Sequence, residues 1–194
     1  MARETSPVEE LESLRMLGDD FRFYGWTFVK EGIHSEVYRA TELDSGDQYC
    51  IKVYKPGDML PFEQEKAAYE LLARVNVGDH IPKIFGYWRG KLADLGFPNI
   101  QDDEQEYYVL VMEWPEGAEE LSSENITIES TADLIRGLVL IHRAGILYND
   151  LYRRNMMIMS AAERGVWVDF TCAHLYIHTQ VQEFTNAMWI ILEA

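Results

Sequence analysis

The sequence predicts an α+β fold in two parts, a five-stranded β region with one helix followed by a short, mainly helical region. Three observations predict it. Apolar residues alternate in five short runs before residue 115, and a segment opened by Pro61 repeats them at helical spacing. Beyond "PEGAEELSSEN", a linker of Pro, Gly, Ser and acids, the alternation gives way to helical periodicity. The boundaries that follow are a polar lead-in over 1–20, a β region over 21–115 and a second region over 116–194, one domain overall.

The elements follow in order. The lead-in is expected to be helical around Val8–Met16, and strands are expected at 22–30, 36–41 and 48–54, with "LDSGDQ" turning the chain between the last two. Pro61 suits the first turn of a helix running to Val75, because that position has no use for an N–H. Strands at 83–89 and 106–114 come next, and "GKLADLGFPNIQDDEQ" between them reads as an exposed loop. Past the linker, Ser130 with Asp133 reads as a capping box opening a helix through Arg143. Its face would be Ile135, Leu138, Val139 and His142, and Gly145 would end it. Short strands at 156–159 and 165–168 flank a turn, and a last helix is expected over 181–192.

Composition narrows the function classes. The 194 residues are 47% hydrophobic, enough for an ordinary core. Against 17 basic residues stand 33 acidic ones, a net charge of -16, which argues against nucleic-acid backbones and anionic membranes as partners. The two cysteines, Cys50 and Cys172, fall in apolar strand-like segments and read as buried reduced thiols. The acidic N-terminus has no apolar signal core, and no apolar run reaches transmembrane length; the expectation is a soluble, cytoplasmic protein.

Chemistry enters with Asp-x-x-x-x-Asn, which occurs twice, as Asp94/Asn99 and as Asp150/Asn155. The first copy contains Pro98 and runs into "IQDDEQ", a solvated loop. The second sits between a helical pattern and an apolar strand, with Asp169 at the end of a further apolar run. Helical periodicity supplies another candidate. Phe62, Ala68, Tyr69 and Leu72 form the apolar face of the first helix, while Glu63, Lys66 and Glu70 lie opposite. Glu65 falls on the apolar side, where a carboxylate needs a partner. The five histidines show no metal-ligand spacing, and no G-x-S-x-G elbow occurs.

Around Asp150 the segment "LIHRAGILYNDLYRRNMMI" resembles the helix and catalytic loop of the protein-kinase-like superfamily, with Tyr148 and Asn149 at its usual His and Arg positions. The resemblance implies that Asp150 orients or deprotonates an acceptor hydroxyl and that Asn155 ligates magnesium. The absent Arg implies no phosphorylation switch, and it moves the likeness towards aminoglycoside- and choline-kinase-like enzymes and the small kinase-like proteins of fungi. Tyr148 would take over the structural role of the missing His. "VWVDFTCAH" resembles the D-F-G segment, so Asp169 would hold magnesium; Thr171 replaces its Gly and would resist a peptide flip. "KEGIHSEVYRA" resembles the glycine-rich hairpin but keeps only Gly32, with Lys30 and Ser35 at the other two glycine positions; Val37 would lie beneath adenine. "YCIKVY" resembles the V-A-I-K strand, so Lys52 would pair with Glu65 and contact the α- and β-phosphates. In "YYVLVMEW", Met112 would line the pocket, and the backbone near Glu113 and Trp114 would bind adenine.

The fold this resemblance implies is two-lobed, a five-stranded antiparallel N-lobe and a short helical C-lobe. The activity it implies moves the γ-phosphate of Mg-ATP to a hydroxyl on a protein Ser/Thr or a small molecule. The alternative is a catalytically inactive kinase-like scaffold, a pseudokinase acting as a binding module. Two features favour that alternative: the depleted glycine-rich hairpin, and a chain that stops at residue 194 without an A-P-E segment.

Overall fold

A computed structural model describes residues 14–18, 21–75, 77–98 and 105–176 of the chain. Alternating and β-branched residues build a first sheet from β1 (Phe23–Glu31), β2 (Ser35–Glu42), β3 (Gln48–Tyr54), β4 (Ile84–Gly90) and β5 (Tyr107–Glu113). Its order is β1-β2-β3-β5-β4, antiparallel throughout. The β2–β3 turn is closed by Glu42, whose carboxylate accepts from Asp44 N at 3.1 Å and Ser45 N at 2.6 Å. α1 (Met59–Val75) carries Pro61 in its first turn. It lays Phe62, Ala68, Tyr69 and Leu72 on one face of the sheet, against Tyr54 and Leu110.

The other sheet face is covered by a segment expected to be an exposed loop. Leu92–Leu95 form a 3₁₀ turn, and Leu92 and Leu95 are buried among Phe23, Tyr49 and Trp88. Gly96 follows at φ 80°, where an added Cβ would lie 2.4 Å from the Phe23 carbonyl oxygen, so only glycine fits. The polar end of that stretch, 99–104, lies outside the described residues. The lead-in also departs from expectation. Residues 14–18 are not helical: Leu17 N donates to Tyr87 O at 2.8 Å, Tyr87 N donates to Arg15 O at 3.2 Å, and Met16 bridges Tyr87 in parallel. A strand edge with free N–H and C=O groups outcompetes the weak local helix preference. The rest of the expected Val8–Met16 helix lies outside the described residues.

In the second region, α2 (Ile128–Arg143) is capped by Thr127, not Ser130. Thr127 Oγ1 accepts from Ser130 N at 3.0 Å, and Ser130 Oγ accepts from Thr127 N at 2.9 Å, so Ser130 is the inner partner of the capping box. The buried face is Ser130, Leu134, Gly137 and Ile141, and the expected Ile135 is 59% exposed. Packing decided this rotation. Trp167 Nε1 donates to Leu134 O at 2.8 Å, and a Cβ on Gly137 would come within 3.1 Å of the Trp167 ring. Gly145, at φ 88°, ends the helix as expected.

Among the described residues this region is not mainly helical. It has one α-helix and the short strands β6 (Ala118–Glu120), β7 (Ile146–Leu147), β8 (Met156–Met159), β9 (Arg164–Trp167) and β10 (His174–Leu175). They form two small sheets, β6-β8-β9 and β7-β10. β6 had read as linker because it is acidic, yet backbone pairing with β8 needs no apolar side chain. The helix expected over 181–192 lies outside the described residues. One core joins the two parts, with Tyr148, Trp167 and Phe170 packed with Tyr69 and Leu110. Among the described residues no helix is long and apolar enough to cross a membrane.

Candidate functional site

The site is built around Lys52. Its place on β3, in register with Val37 and Leu110, aims the side chain under the sheet towards α1. Lys52 Nζ lies 2.6 Å from Glu65 Oε2 and 3.0 Å from Asp169 Oδ1. Glu65 is wholly buried; Tyr54 OH also donates to Oε2, and Phe170 N donates to Oε1 at 3.2 Å. Three donors converging on two oxygens is the arrangement of an ionised carboxylate. Burial pushes the Glu65 carboxyl up from its ordinary value, and Lys52 pulls against that. Burial alone would push the Lys52 ammonium down, but Glu65 and Asp169 reverse this and hold it above its ordinary value.

Asp169 sits at φ 66°, a left-handed conformation that Asp tolerates better than most residues. The strained backbone therefore falls on Asp169, not at Thr171. Thr171 donates to Asp169 Oδ1 from Oγ1 at 2.5 Å and from N at 3.3 Å, so the residue that replaces the expected Gly pins the turn. Burial raises the Asp169 carboxyl, but Lys52 and the Thr171 hydrogen bonds outweigh it and bring it down to about 2. Tyr148 holds the turn from below. It is buried, its OH donates to Val168 O at 2.5 Å, and its ring packs edge-on against Trp167 and Phe170.

The Asp150–Asn155 loop closes through a 3₁₀ turn at Arg153–Asn155. Asn155 is buried; its Nδ2 donates to Asp150 O at 3.1 Å and to Asp150 Oδ2 at 2.7 Å. Its Oδ1 is buried with no hydrogen-bond partner, an expensive state for an amide oxygen. Asp150 is further held by Arg154, whose Nη2 lies 3.1 Å from both carboxylate oxygens.

Lys52, Glu65, Arg154, Asn155 and Asp169 border a cavity of about 500 Å³. Its roof is Gly32, Ser35 and Val37, and its apolar walls include Cys50, Met112, Met157 and Val168. Lys52, Glu65, Asn155 and Asp169 supply the polar end, and Glu113 and Trp114 the far end. All of the residues expected from the sequence except Asp150 line this space. Glu113 has its N–H committed to Lys83 O at 2.8 Å, so that donor belongs to the protein's own backbone. Cys50, expected to be buried, is half-buried on the cavity wall, and desolvation pushes its thiol up to about 12, away from the thiolate form. Cys172, expected to be buried, is exposed on the turn after Asp169. Sequence reasoning missed Arg154 and Glu120 as lining residues, because both lie on segments that read as loop or linker, where spacing does not fix which side chains face each other.

Among the described residues no group of three or more His, Cys, Asp or Glu side chains could hold a metal ion. No protein-family model and no curated protein matches the chain.

Proposed function

We propose that the chain is an ATP- and Mg²⁺-dependent phosphotransferase with a protein-kinase-like fold, moving the γ-phosphate to a hydroxyl on a protein Ser/Thr or a small molecule. The observation that carries this reading is the Lys52 ammonium, held between Glu65 and Asp169 at the polar end of a cavity with apolar walls. A cation kept positive by two carboxylates suits a polyphosphate, and the apolar walls suit a heteroaromatic base. The antiparallel sheet with α1 on one face supports the fold.

The donor set fits magnesium. Asn155 Oδ1 is a buried acceptor without a partner, and Asp169 offers a carboxylate to the same cavity. Magnesium needs only one or two such protein oxygens, because water and phosphates complete its shell, so the lack of a larger acidic cluster is consistent with it. When bound it would neutralise phosphate charge. In this reading Lys52 positions the α- and β-phosphates, Glu65 fixes Lys52, and Asp150 orients the acceptor hydroxyl and takes its proton. Catalysis is then positioning and charge neutralisation in a pre-built site.

The test is a thermal shift by ATP with and without Mg²⁺, followed by turnover against a panel of hydroxyl acceptors. Asp169→Ala should abolish the Mg-dependent shift, and Asp150→Asn should retain binding but stop turnover. Unchanged turnover in either variant overturns the residue assignment. One observation favours a second reading, a nucleotide-binding scaffold without turnover: both Asp150 oxygens are occupied, and Asp150 does not line the cavity. Binding of Mg-ATP with no hydrolysis and no transfer would select it.

A further inference from the structure

The rim of the cavity carries two cations that the reading above leaves without a role. Lys30 and Arg154 both line the cavity, and Lys30 Nζ donates across its mouth to Arg154 O at 3.3 Å. The Arg154 guanidinium lies 4.2 Å from the Tyr152 ring centroid and half exposed, with Asp150 as its partner. This convergence goes against the composition of the chain, which has 33 acidic residues to 17 basic ones. It also coincides with a poor phosphate cradle. The hairpin above has a single glycine, and Gly32 N is already committed to Ser35 O at 2.7 Å.

We propose that Lys30 and Arg154 form a clamp for the terminal phosphate of a nucleoside triphosphate, and that Arg154 exchanges Asp150 for that phosphate when the triphosphate binds. The proposal rests on the nucleotide reading given above. Lys30 sits on the same hairpin, and its ammonium supplies charge where the Gly32 N–H is already committed. Arg154 holds Asp150 through Nη2 alone, and a guanidinium donates to carboxylate or phosphate oxygens alike, so it can trade one for the other. The trade has a chemical consequence. With Arg154 Nη2 shared between both oxygens and Asn155 on Oδ2, the Asp150 carboxylate is already paired with a cation, which lowers its basicity towards an acceptor hydroxyl. Moving Arg154 to the phosphate exposes Oδ1 at the moment the donor group arrives. Nucleotide binding and base availability are thereby coupled through one side chain.

The experiment is calorimetric binding of Mg-ATP and Mg-ADP to the full chain and to Lys30→Met, Arg154→Ala and Asp150→Asn, with the unfolding midpoint of each variant as a control. Both cations are at the surface, so the variants should fold as the wild type does. Wild type should prefer ATP to ADP, and Arg154→Ala should reduce that preference roughly tenfold, the scale of one lost charge-assisted contact, with ADP affinity unchanged. Lys30→Met should reduce it in the same sense. Asp150→Asn removes the competitor for Arg154 and should raise ATP affinity about threefold or more relative to ADP. That gain should vanish when Arg154→Ala is added. Parallel losses of ATP and ADP affinity, or an ATP/ADP ratio unmoved by Asp150→Asn, overturn the clamp while leaving the nucleotide site intact. A wild-type chain that binds neither nucleotide overturns the nucleotide reading and the clamp with it.

Discussion

Two carboxylate–cation pairs stand beside the same cavity, one with both partners on its lining and one with only its cation there, and they differ in almost everything but distance. Lys52 and Glu65 meet at 2.6 Å with side chains 4% and 0% exposed. Arg154 and Asp150 meet at 3.1 Å with side chains 47% and 17% exposed. Out of water, the first pair is bonded to Asp169, Tyr54 and Phe170, so it fixes α1 to β3 and to the turn at Asp169. The second pair has water as a competitor on one side, and either partner can leave. Burial thus turns one ion pair into scaffold and leaves the other free to act as a moving part.

The largest effect expected from breaking this contrast is on the buried pair. Glu65→Ala leaves Lys52 with Asp169 as its one remaining carboxylate and strands the Tyr54 and Phe170 donors, and should cost roughly 3 kcal/mol in chemical denaturation. The next concerns ligand-linked stability. With Mg-ATP at about 100 times its Kd, wild type should gain about 2.7 kcal/mol, and Asp169→Ala should lose the Mg-dependent part of that gain in a thermal-shift assay.

Acid should probe the same carboxylate without a ligand. Asp169 titrates at about 2 when folded, below its ordinary 3.8, so the folded state binds its proton less readily than the unfolded chain does. Its contribution to stability is therefore complete above the ordinary value and is lost as pH falls from about 4 towards 2. Acid unfolding of wild type and Asp169→Asn should converge across that window, and curves that stay parallel would remove the Lys52–Asp169 attraction as a source of stability. The smallest effect belongs to the rim. Arg154→Ala should change stability by less than about 1 kcal/mol, because a half-exposed pair gains little over water. A loss comparable to that of Glu65→Ala would end the distinction between the two pairs.

Local pattern was enough for elements whose side chains have only one place to go. β3 was read with its observed bounds, and the periodicity of α1 picked out Glu65 over Glu63 because a single stripe of that helix is apolar. α2 was misread for the opposite reason. Leu134, Ile135, Leu138, Val139, Leu140 and Ile141 surround much of its circumference, so periodicity alone does not select a face. Trp167 and the missing Cβ at Gly137 do. β6 escaped notice because its bonds are made by backbone, which leaves no mark on side-chain composition.

The two Asp-x-x-x-x-Asn segments measure the same limit. Asp94 lies exposed on a 3₁₀ turn whose leucines are buried, whereas Asp150 is bound to Asn155 and Arg154. Spacing cannot tell them apart, and neighbouring sequence did so only by context. The residue types, their order and the inward turn of Glu65 follow from chain chemistry, because periodicity and the cost of burying charge act locally. Other properties depend on groups far apart in sequence: the meeting of Lys52 with Asp169, the unpartnered oxygen of Asn155, the masking of Asp150 and the reach of Lys30 across the cavity. Those groups become neighbours only once the two parts share a core.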